Sequence, residues 1–243
     1  MSLQLLTFGP AFGEPDASPF CVKAICLLNM AGVEWDLIPD SDSRKAPIGK
    51  LPVLIDGKRT IHDSDNIRYY LEKHYAADFD SGLSMTQKAL SRALIRMIEE
   101  HLYFCQVYDR WVDDTCWAHV RDRFFSGLPP VMRTIVPKLV RRNVLSALHG
   151  QGVGRLAYDD MFARAALDIA AIETLLDDDQ YLFGAEPTAA DVSVGCTLAS
   201  MSANPERTRL SARVLDSKRL MSYITDLKSA IYPEQSQTPG RIE

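Results

Sequence analysis

Apolar residues in this chain follow two regimes. Up to about residue 75, short strand-like runs alternate with helical repeats; beyond residue 85 only the helical spacing persists. Gln4 to Phe8 reads as a buried strand, and Gly9 to Ala17 as a connector rich in Gly and Pro. A helix follows from about Pro19 to Ala31, with Phe20, Ala24, Leu27, Leu28 and Ala31 on one face and Gly32 as its stop. Val33 to Ile38 forms a second strand, and Asp40 to Gly49 is loop. Val53 to Ile55 and Arg59 to Ile61 flank Asp56-Gly57, a strong hairpin signal. Asp63 or Ser64 caps a helix from Asp65 to about His74, with Ile67, Tyr70 and Leu71 inward.

The second regime starts after a small, polar linker, Ala76 to Ser84. Met85 to about Ala118 carries Leu90, Leu94, Ile98, Leu102, Cys105 and Tyr108 at helical spacing, as one long helix or two abutting ones. Gly127-Leu128-Pro129-Pro130 interrupts it, and Val131 to Leu148 resumes it with Pro137 expected to kink or restart the helix. Gly150 to Gly154 is a turn before a helix from Tyr158 to Leu176, with Phe162, Ala166, Ile169 and Ile172 inward; Asp177-Asp178-Asp179 is solvated surface. Thr188-Ala189-Ala190-Asp191 is a capping box, with Asp in place of Glu, ahead of a buried run from Val192 to Met201. A last helix covers about Lys218 to Ile231. The order predicts an α/β domain over residues 1–76, an all-helical domain over 85–232 and a disordered tail over 233–243.

Composition narrows the function classes. A formal charge of −5 over 243 residues argues against a broad phosphate-binding surface, so nucleic acid is not the expected partner. Five cysteines, odd in number and without a CxxC pair, read as reduced intracellular thiols. The five histidines show no metal-ligand spacing, so no metal is expected. No run approaches the roughly 18–20 apolar residues of a membrane span, and the first residues lack a secretory pattern. The expectation is a cytoplasmic protein.

The chemistry centres on Ser18-Pro19-Phe20-Cys21-Val22-Lys23. Serine followed by proline opens a helix, with Ser18 as N-cap and Pro19 at the first helical position. Unpaired N–H groups and the helix dipole put partial positive charge there, which stabilises an anion such as a thiolate. The bland reading of Ser18 is a cap alone, worth roughly 1 kcal/mol. Cys21, one turn on, is either a small buried hydrophobe or a competing reactive thiol.

A strand running into a proline-started helix, with a later proline before a hairpin strand, resembles the thioredoxin fold. Joined to an all-helical second half, the chain resembles the glutathione transferase superfamily. Ser18-Pro19-Phe20-Cys21, Gly49-Lys50-Leu51-Pro52-Val53-Leu54, His62-Asp63-Ser64 and Pro187-Thr188-Ala189-Ala190-Asp191 carry that resemblance in order and spacing. Ser18 to Lys23, Glu99-Glu100-His101-Leu102-Tyr103, Tyr108-Asp109-Arg110-Trp111 and Gln151-Gly152-Val153-Gly154-Arg155 are similar to the failed-axon-connections branch, itself related to metaxins.

The resemblance implies glutathione as co-substrate. Ser18 would donate its hydroxyl to the glutathione sulfur, and Leu51, before Pro52, would pair its backbone with the cysteinyl part. Asp63 and Ser64 would hold the γ-glutamyl end, and Lys50 would reach the glycyl carboxylate. Tyr103, Tyr108 and Trp111 are candidates for the pocket of a small electrophile, with core packing as the competing role. Homodimerisation is implied by the resemblance alone. A long Gly9–Ala17 connector, and Asp63 where the family commonly has Glu, are departures. Three activities follow: thiolate attack on a small electrophile, a non-catalytic binding or scaffold role, or glutathione-dependent thiol transfer through Cys21.

Overall fold

The computed structural model describes residues 2–177 and 179–232; the expected disordered tail, 233–243, and Asp178 lie outside them. Four short strands, β1 (Leu3–Leu6), β2 (Trp35–Ile38), β3 (Val53–Asp56) and β4 (Arg59–His62), form one sheet in the order β2-β1-β3-β4. β1 and β2 are parallel, with Leu3 beside Trp35, and helix α1 (Pro19–Met30) is the crossover such a pair requires. β3 runs antiparallel to β1, and β4 returns from it through Gly57-Lys58; Asp56, expected in the turn, ends β3 and pairs with Arg59. Helix α2 (Ser64–His74) closes the α/β unit.

The remaining elements are helical: α3 (Met85–Met97), a π-helical turn at Ile98–Leu102, α4 (Tyr103–Val112), α5 (Asp114–Phe125) and α6 (Pro130–Gln151). After them come α7 (Tyr158–Leu176), α8 (Ala189–Ser202), α9 (Arg209–Leu215) and α10 (Lys218–Ile231). The α/β unit followed by helices is the expected fold class. Helix α8 is the centre of the molecule. Every residue from Ala189 to Met201 is buried, which suits a helix apolar on all sides that packs against α1, α3, α9 and α10. At Gly195 a Cβ would lie 2.0 Å from Leu227 Cδ2, so glycine permits α8 and α10 to approach closely. Asp191 secures the helix start by accepting from Thr188 N–H at 2.8 Å, Leu182 N–H at 2.8 Å and the Tyr223 hydroxyl at 3.0 Å.

Several expectations change in detail. β2 begins at Trp35 rather than Val33, and α2 begins at Ser64 with Asp63 as its cap. The 85–118 stretch holds two abutting helical runs: α3, the π turn and α4 continue without a break from Met85 to Val112, and α5 starts at Asp114. A π turn keeps Ile98 and Leu102 buried, so apolar spacing alone does not reveal it. Pro137 does not break α6, which continues for 22 residues, because proline removes one internal bond and its neighbours keep theirs. Helix α9 had no counterpart in the apolar pattern; Thr208 caps it through Ser211 N–H at 3.1 Å. The linker is anchored rather than loose. Phe79 is buried, Asp80 pairs with Arg68 at 2.7 Å, and Ala189 N–H donates to the Phe79 carbonyl at 3.0 Å.

Candidate functional site

One cavity of about 740 Å³ lies where the α/β unit faces the helices. Its α/β wall carries Ser18, Lys50, Leu51, Pro52, Asp63 and Ser64. Six candidates scattered over 47 positions of sequence therefore meet at one place. The fold explains why: α1 starts after β1, the 50–52 turn precedes β3, and α2 starts after β4, all at one end of the strands.

The two helix starts differ in how their polar groups are used. Asp63, at φ 74°, accepts through Oδ1 from Asp65 N–H at 2.8 Å and Asn66 N–H at 3.4 Å, so one oxygen caps α2. Its backbone sits in a region that costs a non-glycine residue about 1–3 kcal/mol, a placement that clusters at binding sites. Ser18 occupies the N-cap position of α1, yet its hydroxyl caps nothing. The Ser18 carbonyl accepts from Cys21 N–H at 3.0 Å and Val22 N–H at 3.1 Å, and Pro19 has no N–H. Among the described residues, Phe20 N–H is the first-turn donor left without a backbone partner. The donors at this helix start that serve no cap are thus the Ser18 hydroxyl, which faces the Cys21 thiol, and the Phe20 amide. Lys50 stands exposed at the rim, and the Leu51–Pro52 bond is cis.

A buried carboxylate that the sequence did not single out organises this corner. Asp16 accepts from Gly9 N–H at 2.6 Å and Ser18 N–H at 2.9 Å, fixing the connector to the helix start. Burial pushes its pKa up to about 6, against the opposing pull of those hydrogen bonds. Asp16 also faces Cys21, whose thiol is fully buried and held well above its ordinary pKa, first by burial and then by the Asp16 charge. Cys21 packs with Leu51 and Val53 and does not line the cavity. A competing reactive thiol needs exposure and a depressed pKa, and Cys21 has neither.

The opposite wall is built by α4, α5 and α6. Tyr103, Trp111, Phe104, Phe124 and Phe125 line it, with Leu128, Val136 and Val140 beyond. Tyr103 packs edge-on to Phe20 at 4.6 Å between ring centres, joining this wall to the helix start. Tyr108 does not reach the cavity. It lies on another face of α4, in a separate cavity of about 450 Å³ with Asp109, Tyr158 and Thr208. Of the three expected pocket aromatics, Tyr103 and Trp111 line the site, and Tyr108 is corrected to a packing position near Tyr158.

The Gly9–Ala17 connector forms part of the roof. Ala11 and Glu14 bridge across a tight turn with Phe12 (φ 54°) and Gly13 (φ 78°) at its tip, which projects Phe12 into the cavity. Arg123 of α5 donates to the Pro10 carbonyl at 2.8 Å, and Glu14 pairs with Lys228 at 2.5 Å. Beneath the floor, buried Lys23 pairs with Asp65 at 2.6 Å and Glu99 at 2.6 Å, and Arg96 reaches both carboxylates. Burial pushes the Asp65 pKa up, but Lys23, Arg96 and Arg92 together bring it below the ordinary value. This network ties α1 and α2 to α3 and the π turn. Sequence spacing gave no signal for it, since its members are up to 76 positions apart.

A helix start with donors that serve no cap, a polar turn and a capped second helix, all facing an aromatic wall, can hold a thiol peptide beside an apolar reactant. Residues 19–116 match the family model for the glutathione S-transferase N-terminal domain, and residues 156–224 that for the C-terminal domain. The isoprene-epoxide–glutathione S-transferase of Rhodococcus sp. is 32% identical over 229 residues, spanning 90% of this chain and 94% of that protein. The chain belongs to the glutathione transferase family. Failed axon connections of Drosophila melanogaster is 22% identical over 251 residues, covering 94% of this transferase-family chain and 58% of the relative. The crystal structure of a beta-etherase from Sphingobium sp. superposes with a TM-score of 0.68 at 16% identity, over 94% of this chain and 96% of that one, a likeness of fold. Members of this family use glutathione as co-substrate. Among the described residues, no group of three or more His, Cys, Asp or Glu could hold a metal ion, and no helix is long and apolar enough to cross a membrane.

Proposed function

We propose that this chain binds glutathione at the start of α1 and directs its thiolate onto a small electrophile held against α4–α6. The observation that carries the reading is the Ser18 hydroxyl, which caps no backbone donor of α1, in one cavity with Leu51, Asp63, Ser64 and an aromatic wall. Free thiols near pKa 8.5 are mostly protonated at neutral pH. A hydroxyl and an amide aimed at the sulfur, at the positive end of a helix dipole, lower that value and raise the thiolate fraction. The Leu51 backbone pairs with the cysteinyl unit, Asp63 and Ser64 receive the γ-glutamyl ammonium and carboxylate, and Lys50 meets the glycyl carboxylate. With both reactants in one cavity, proximity supplies much of the acceleration.

Epoxides are the electrophile class to try first, because the relative at 32% identity is named for an isoprene epoxide. In that reaction a C–S bond forms, a C–O bond breaks, and the oxygen keeps the electron pair and takes a proton from water. We further propose that the protein works in the cytoplasm as a homodimer, to be checked by light scattering and by fractionation. The test of the main reading is calorimetry with glutathione. Binding is expected for the wild-type chain and weakened at least tenfold in Ser18→Ala plus Asp63→Ala; no heat with the wild type would overturn it.

The 22% similarity to Failed axon connections keeps a second reading in view, a binding module without turnover. Glutathione binding with no conjugation across epoxides, aryl halides and peroxides would select it. Thiol transfer through Cys21 has less support, given its sealed sulfur; activity unchanged in Cys21→Ser is the expected result.

A further inference from the structure

Arg110 projects from α4 into the cavity wall, and its guanidinium is almost wholly buried, with 7% of the residue exposed. Burying a cation is unfavourable unless an anion or well-placed acceptors compensate it. Arg110 has two acceptors, both neutral: Nε donates to Asn204 Oδ1 at 3.1 Å and Nη2 to the Ser200 carbonyl at 2.6 Å. Among the described residues it forms no ion pair. The acids that face it are engaged elsewhere. Glu14 is held by Lys228 and by the Tyr232 hydroxyl at 3.0 Å, and Asp109 by the Tyr158 hydroxyl at 3.0 Å and by Thr208.

The third nitrogen, Nη1, has no hydrogen-bond partner among the described residues, and it is not among the nitrogens sealed from solvent. With Arg110 in the cavity lining, Nη1 is the nitrogen left for a ligand there. The guanidinium is also held in place, with Cζ 5.0 Å above the Phe12 ring at the tip of the connector. Burial lowers its pKa to about 10, so it keeps its charge at neutral pH. Tyr103, Gln106 and Arg110 stand at i, i+3 and i+7, forming one polar ridge in a largely aromatic wall. Gln106 adds to the imbalance: Nε2 donates to Ser200 Oγ at 2.7 Å, while buried Oε1 has no partner.

We propose that Arg110 binds an oxygen of the second substrate that carries, or acquires during reaction, a negative charge. The inference rests on the glutathione-transfer reading and adds the chemistry of the electrophile. A carboxylate presents such an oxygen from the outset. An epoxide generates one when sulfur attacks carbon, the C–O bond breaks and the electron pair moves to oxygen. In both cases the oxygen meets a fixed cation in a low-dielectric wall, where a charge-assisted hydrogen bond is strongest.

Arg110→Met and Arg110→Lys should be assayed with glutathione and two probes, styrene oxide and 3-phenylglycidate, its carboxylate-bearing analogue. Arg110→Met is expected to raise KM for phenylglycidate by about ten- to a hundredfold, to lower kcat for styrene oxide with little change in its KM, or both. Glutathione affinity by calorimetry should stay within twofold, and Arg110→Lys should recover part of each loss. Both probes unchanged within twofold in Arg110→Met would overturn the proposal. So would a glutathione affinity that falls by the same factor as kcat/KM. Binding of 3-phenyllactate to the chain without glutathione gives a separate readout, expected for wild type and lost in Arg110→Met. That arm still decides on Arg110 if glutathione itself gives no heat and the transfer reading falls.

Discussion

The two walls of the cavity are made of different material. Apart from Lys50 at the rim and the Phe20 ring, the α/β wall presents backbone and short side chains at turns: the Ser18 hydroxyl, the Phe20 amide, the Leu51 turn and the Asp63 cap. The helical wall presents long side chains from three helices, Tyr103 and Trp111 from α4, Phe124 and Phe125 from α5, and Val136 and Val140 from α6. A wall of main-chain groups is fixed by the fold and suits one constant ligand. A wall of side chains can change shape by substitution without disturbing the sheet, and suits a variable one. On the proposed function, glutathione belongs to the first and electrophile selectivity to the second.

The largest effect should come from below the first wall. Lys23→Met leaves Asp65 and Glu99 buried with less compensating charge, and should cost about 3–5 kcal/mol in urea denaturation, toward the lower end because Arg96 still faces both carboxylates. A loss below about 1 kcal/mol would mean that the network does not hold the wall.

Asp16 comes next. Its folded pKa, about 6 against an ordinary 3.8, means that the folded state holds a proton that the unfolded chain releases. Its stabilising contribution is present below about pH 4 and lost as pH rises through about 6, a change of up to about 3 kcal/mol. The stability of wild type relative to Asp16→Asn should therefore fall over that window, and a flat difference would remove Asp16 from the account.

The helix starts give smaller and opposite outcomes. Asp63→Ala loses a real cap and should cost about 1 kcal/mol along with glutathione affinity. Ser18→Ala should cost well under 1 kcal/mol, because its hydroxyl caps nothing, yet should reduce turnover by at least tenfold. Equal stability losses would erase the distinction between them. On the second wall, Trp111→Ala should change KM for the electrophile severalfold and leave glutathione affinity alone. A matching change in both would show that the walls do not divide the work.

The same contrast decides what was legible in the sequence. Local signals marked the first wall, since serine before proline, proline before a strand and Asp-Ser opening a helix each carry their own geometry. Their convergence follows from the order of strands and helices. Asp16 escaped notice because nothing in a loop carboxylate reveals that it will be buried against Gly9 and Ser18. Phe12 escaped because a non-glycine residue at φ 54° is not expected of aromatic side chains. In the second wall, helical spacing said that α4 has an inner face but not which inner face meets the cavity. The π turn at Ile98–Leu102 shifts the phase between α3 and α4, so Tyr108 faces Tyr158 while Gln106 and Arg110 line the site. Lys23 stood inside the motif, yet its partners Asp65 and Glu99 are set by tertiary contact.

The most direct test of the central claim is the ionisation of bound glutathione, followed by thiolate absorbance across a pH titration. The account predicts that the sulfur of glutathione bound to wild type titrates about two pH units below free glutathione, and that Ser18→Ala returns it most of the way. Bound glutathione that titrates like the free thiol, or a depression that survives intact in Ser18→Ala, would contradict it.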